Sequence, residues 1–138
     1  MKATKSTASF LFIFLTSIVI STISYAGDNH VKPKLKLENL MSAELEGVKG
    51  TEVIVSKVTI PPNTSLPKHW HPGEEFAFVL EGSVILWQKG KKDTIGKKGD
   101  VMKVPLKQIH TARTTDEGAT ILVFRVHEQG KPERIKAE

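Results

Sequence analysis

Two imidazoles and two carboxylates crowd the stretch His69-Trp70-His71-Pro72-Gly73-Glu74-Glu75. In an extended chain successive side chains take opposite faces, so His69 and His71 point the same way and form a two-toothed nitrogen clamp. Pro72 and Gly73 break the strand, and an acid from Glu74 or Glu75 can return on the neighbouring strand to face the same point. Histidines at metal-ligand spacing beside an acid point to a bound cation more than to a hydrogen-bonded cluster.

The surrounding chain must supply strands to hold that clamp. Thr51 to Ile60 carries Val53, Ile54, Val55, Val58 and Ile60 between Gly50 and the Pro61-Pro62 pair, and reads as a secure strand. Further strands are expected at Met41–Glu46, Leu66–His71, Glu75–Leu80, Ser83–Gln88, Thr94–Ile95, Val101–Val104, Ile109–Thr114 and Ala119–Val126, with a tight turn at Glu81-Gly82. No long stretch keeps helical spacing. Short strands between regular turn signals indicate an all-β antiparallel sandwich or small barrel.

The clamp resembles the first motif of the cupin superfamily: glycine, five residues, His-x-His, three or four residues, Glu, six residues, glycine. His69, His71, Glu75 and Gly82 fall in register, and Asn63 replaces the leading glycine, as expected at a turn needing a positive φ. The second cupin motif is matched by Gly99, Pro105 and His110, with Lys107 in place of its second glycine and Thr114 in place of its asparagine. The resemblance is to small single-domain, type 2 cupins. It implies an antiparallel jelly-roll barrel with His69, His71, Glu75 and His110 as metal ligands. Only Glu75 keeps the six-residue gap to Gly82, which leaves Glu74 as a rim carboxylate and candidate catalytic acid or base.

Three imidazoles and a carboxylate suit a divalent transition metal, whether Mn, Fe, Ni, Cu or Zn, and do not select among them. Four protein ligands on an octahedral ion leave positions open for a small molecule. If Glu75 faces inward, Ala77 and Val79 line the cavity with Met102 and Val104, and Gln108 sits at its mouth. Alternation from His110 sends Arg113 outward, leaving Arg125 as the arginine to anchor a carboxylate. Trp70 turns away from the histidines, Trp87 and Phe124 default to the core, and His30 and His127 are expected in solvent. Phe76, Phe78 and Leu80 then point outward. Burying each phenylalanine is worth about 1.5–3 kcal/mol, so a cover is expected: the second copy of a homodimer, or else Val31–Leu40 folded over them.

At 138 residues the chain makes one domain. Lys2 and Lys5, the apolar run Phe10–Ile23 and Ser24-Tyr25-Ala26 read as a secretory signal peptide over residues 1–26, its apolar run shorter than the ~20 residues of a spanning helix. Residues 27–38 are expected to be a flexible segment, 39–128 the barrel and 129–138 a charged tail. A periplasmic or secreted location follows, with no stable membrane anchor once the signal is cut. There are no cysteines, so no disulfide holds the fold. Losing two lysines with the signal lowers the formal charge from +5 to +3. The remaining lysines sit in turn-like clusters without interleaved aromatics, which argues against a nucleic-acid surface. By analogy with cupins, the expected function is dioxygenase- or isomerase-like chemistry on a metal-coordinated small molecule. The alternative is a non-catalytic binding or sensing module of the cell envelope.

Overall fold

The structure, a computed structural model, describes residues 34–137, so the signal-peptide reading and His30 lie outside the described residues. Nine strands follow one another: β1 (Lys36–Glu44), β2 (Thr51–Ile60), β3 (His69–Trp70), β4 (Gly73–Gln88), β5 (Thr94–Lys97), β6 (Val101–Val104), β7 (His110–Arg113), β8 (Ala119–Glu128) and β9 (Ile135–Lys136). They pair antiparallel in the order β1-β2-β8-β4-β7-β3-β9, with β5 and β6 also on β4. The result is the antiparallel all-β fold that the strand spacing implied, curled into the jelly roll that the resemblance to cupins implied.

The long strand β4 makes the curl. Its first part, from Gly73, pairs with β8 and β6, and its last part, Ser83–Gln88, pairs with β5 and β7. The expected turn at Glu81-Gly82 is therefore a bend inside one strand. The register shifts between Val79 and Glu81, and Gly82 takes φ 69°. A Cβ there would stand 2.1 Å from the Gly118 carbonyl oxygen, so only glycine lets the strand cross between sheets this close to its neighbour.

Alternation then sorts the side chains. Val58 and Ile60 on β2, Ala77 and Val79 on β4, Met102 and Val104 on β6, and Ile121 and Val123 on β8 form the core. On the opposite face, Phe76 sits against Phe124 and Phe78 against Leu122 across the β4–β8 ladder. Phe78 and Phe124 remain 37% and 40% exposed, which overturns a core position for Phe124. Its parity on β8 decides this, because Val123 and Arg125 take the inner face. Trp87 is half-buried on the outer side, beneath the Lys68 ammonium at 4.6 Å.

The fold begins before residue 39 and continues past residue 128 within the described residues. Strand β1 starts at Lys36 and pairs along the edge of β2, and Leu35 and Leu37 turn into the cavity, while Leu40 and Met41 stay exposed. The described part of Val31–Leu40 thus joins a sheet edge and the cavity wall. The charged tail is no loose end either: β9 pairs with β3, His69 facing Lys136 and Trp70 facing Ile135.

Candidate metal centre

Register places the ligand set. His69 and His110 are cross-strand partners on β3 and β7, so their rings lie side by side with centroids 4.4 Å apart. His71, one step past β3, brings its ring to 4.8 Å from His69 and 5.1 Å from His110. One ring nitrogen from each lies within 4.8 Å of the others. Nitrogens bound at about 2.0–2.1 Å to one ion stand about 3–3.5 Å apart, so small ring movements close the set on a metal.

Hydrogen bonds fix which nitrogen each ring presents. His69 Nδ1 donates to the Pro67 carbonyl (2.8 Å), His110 Nδ1 to the Gln108 carbonyl (2.9 Å) and His71 Nδ1 to the Glu133 carbonyl (2.5 Å). With the proton held on Nδ1 in all three, the Nε2 lone pairs are left for a common cation. Burial pushes His69 down to about 4 and also lowers His110, which keeps both rings neutral and able to ligate.

Glu75 enters from β4, opposite Arg125 on β8. Its Oε2 accepts from Arg125 Nε at 2.9 Å and lies 3.0 Å from His71 Nε2, and its Oε1 is 3.7 Å from His110 Nε2. Burial alone would raise this carboxyl. The facing imidazole of His71 and the Arg125 charge outweigh it and hold the group at about 2, ionised. His71 Nε2 is buried without a hydrogen-bond partner of acceptable geometry. A carboxylate oxygen 3.0 Å from that nitrogen needs a positive centre beside both, a proton or a metal ion in its place, so the donor set fits a metal ion.

Beside the histidines opens a mostly apolar cavity of about 90 Å³. Ala77, Met102 and Val104 line it as expected, together with His69, His110, Glu75 and Arg125. Val79 does not: it is fully buried in the core. Gln108 is not in the wall either, its amide donating to the Lys89 and Ile109 carbonyls. Glu74 faces the other side of β4, where Lys103 pairs with it at 2.7 Å, which removes it as an acid or base for this cavity. Arg113 points outward to Asp93. Arg125 reaches the wall, but Nε is on Glu75 and Nη1 on Glu133 and Ser56, which leaves Nη2 and no free two-nitrogen fork to anchor a carboxylate bidentately.

Other contacts were not legible in the sequence. His127 is buried on the inner face of β8, with Nδ1 3.5 Å from Glu52 and Nε2 3.3 Å from the Pro132 carbonyl, which overturns its expected exposure. Glu133 serves the centre twice, through its carbonyl to His71 and its carboxylate to Arg125. Ile135, the one large apolar side chain in the charged tail 129–138, was the available sign that this segment docks.

The motif substitutions also find their reasons. Asn63 has φ 51° and Lys107 φ 58°, so each occupies a left-handed position that glycine takes in the motif. Thr114 accepts from Thr64 N and donates to the Pro61 carbonyl, pinning the loop before His69.

A cupin-domain family model matches residues 56–125. The auxin-binding protein of Prunus persica is 26% identical over 103 residues, 71% of this chain and 49% of that protein, so the chain spans about half the length of this curated relative. The DMSP lyase DddQ of Ruegeria pomeroyi superposes with TM-score 0.63 at 23% identity, over 75% of this chain and 51% of that one. A cupin-like protein of Thermotoga maritima gives 0.61 at 22%, over 75% of each chain. An RmlC-like cupin of Methanocaldococcus jannaschii gives 0.60 at 16%, over 72% and 85%. At such identities the structural likeness is one of fold. The family model spans half of the chain and takes in His69, His71, Glu75 and His110: the chain belongs to the cupin family.

Proposed function

We propose that the protein is an exported metal-binding cupin that acts on a small molecule held at the metal, with dioxygenase- or isomerase-like chemistry. One observation carries this reading: three imidazoles pinned through Nδ1 to backbone carbonyls, with the buried His71 Nε2 left unpartnered. Glu75 is the fourth ligand, its free charge already set by Arg125. A divalent ion of the Mn–Zn series supplies Lewis acidity there. The chain's own residues do the rest. Ala77, Met102 and Val104 exclude water and shape the apolar wall, and Arg125 holds Glu75 oriented and ionised.

A second reading, a metal-dependent binding or sensing module without turnover, draws support from the cavity wall. Among the described residues its only acid is Glu75, which is committed to Arg125 and the histidines. Elemental analysis of the purified protein, with oxygen uptake and product detection on catechols, flavonols, diketones and thiols, separates the two. Turnover lost in His71→Ala together with the metal supports the enzyme. A ligand-induced thermal shift without product supports the module, and full metal content in His71→Ala sinks both.

Export rests on the sequence of residues 1–26, and sequencing the N-terminus of the secreted or periplasmic form tests it. The partner is a second copy of this chain. The outer face of β4 and β8 presents Phe76, Phe78, Leu122 and Phe124, rimmed by the opposite charges of Glu74 and Lys103, a self-complementary pattern. Light scattering should give a dimer mass that Phe124→Lys reduces to a monomer; a monomeric parent contradicts it.

A further inference from the structure

The cavity wall contains two arginines, and they are not equivalent. Arg125 is buried, with Nε on Glu75 and Nη1 on Glu133 and Ser56, so two carboxylates already face its charge and neither edge of its guanidinium is a free two-nitrogen fork. Arg134 lines the same cavity, is solvent-exposed, and has no ion-pair or hydrogen-bond partner among the described residues. It reaches this place because Glu133 is tied to His71 and Arg125, and Ile135 is paired to Trp70. The residue between those two anchors is held at the cavity beside the metal ligands. It also lies outside the matched family segment 56–125, so this charge is a feature of the chain's own tail.

Charge counting gives the chemistry of what would bind. Glu75 and Glu133 against Arg125 leave the inner cluster one charge negative; a divalent ion and Arg134 turn that to two positive, in a cavity whose other walls are apolar. Such a site favours an anion with a short apolar body.

We propose that Arg134 is a specificity-determining residue that anchors the carboxylate of a short aliphatic acid, whose apolar body lies along Met102 and Leu37. The inference rests on the proposed function in that it places this acid at the metal cavity. A planar guanidinium with a free fork suits a carboxylate bidentately, where a lysine would offer only a point charge.

The test uses butyrate and its uncharged isostere butyramide, titrated by NMR into the protein as purified and again after chelator treatment. Metal content is measured in each sample. The wild type should prefer butyrate by about ten-fold or more in both samples, as charge-assisted bonds imply. Arg134→Gln should bring the two ligands to within about two-fold, and Arg134→Lys should keep part of the preference. Neither variant should change the metal content or melting temperature, since the side chain is exposed. No preference in the wild type, no binding of either probe, or a preference that survives Arg134→Gln overturns the proposal. A preference that survives Arg134→Gln but disappears on chelation assigns the carboxylate to the metal instead. Absence of metal from the wild type would refute the metal reading alone, because the chelated arm still reports on Arg134.

Discussion

Deleting residues 131–138 removes nothing from the matched cupin segment, yet the structure predicts that it cripples metal binding. The deletion takes away the Glu133 carbonyl that holds His71 Nδ1, the Glu133 carboxylate on Arg125, the Ala137-to-Lys68 backbone bond and the β9 pairing with β3. Loss of an outer partner of a ligating histidine typically weakens metal binding about 10–100-fold, equivalent to about 1.4–2.7 kcal/mol. The metal-free protein loses more broadly. The two Glu133 bonds and the Ala137 bond alone total about 3–5 kcal/mol, a large share of a domain's margin, before the β9 ladder and the Pro132 carbonyl on His127 are added. Competition with a chromophoric chelator for Zn measures the first effect, and urea denaturation with chelator present measures the second. Glu133→Gln separates the roles: it keeps the carbonyl on His71 and removes only the charge facing Arg125. It should cost about 1 kcal/mol in urea and leave Zn affinity within about five-fold. A truncated protein that unfolds cooperatively and holds Zn as tightly as the full chain would refute the assigned role of the tail.

Acid should destabilise the metal-free protein in two stages. Below pH 6.5 the unfolded chain protonates its histidines while folded His69, held at about 4 by burial, does not, so ΔG of unfolding falls with pH across that window, by about 3 kcal/mol for this ring. Glu75, held at about 2 against an ordinary 4.5, adds stability above pH 4.5 that is lost toward pH 2. Urea midpoints between pH 8 and 3 check this; a flat profile contradicts the neutral, buried imidazoles. Lys107→Gly should stabilise by about 0.5–1 kcal/mol, because relief of the left-handed strain at φ 58° exceeds the added chain freedom, and a lower melting temperature would contradict it. Gly82→Ala should cost about 3 kcal/mol or more, since its Cβ meets the Gly118 carbonyl at a positive φ; a melt within about 2 °C of the parent would show that the bend is not tight.

How far the sequence disclosed this molecule depended on whether information was local. His69 and His71 were legible because two-residue alternation puts them on one face, Glu75 and His110 through the resemblance to the two cupin motifs, and the inner positions of Ala77, Met102 and Val104 followed by parity. Asn63 also announced its positive φ. The bend at Gly82 was misread as a hairpin, because glycine marks both a turn and a strand that changes sheets. Glu74 and Glu75 could be told apart by motif spacing, but the pairing of Glu74 with Lys103 needed the β4–β6 register. The parts contributed by Glu133 and Arg134 were invisible. They depend on a backbone carbonyl and on two pairs of residues joining β9 to β3, and neither leaves a periodic pattern in a short charged tail.

The central claim is that the Nε2 atoms of His69, His71 and His110 share one divalent ion. Anomalous diffraction at the absorption edge of the metal that co-purifies tests it most directly. The account predicts one strong peak at about 2.0–2.2 Å from all three Nε2 atoms, with a Glu75 oxygen completing the set. No peak there, or a peak bound through Nδ1 with the carbonyl contacts of Pro67, Gln108 and Glu133 broken, would contradict it.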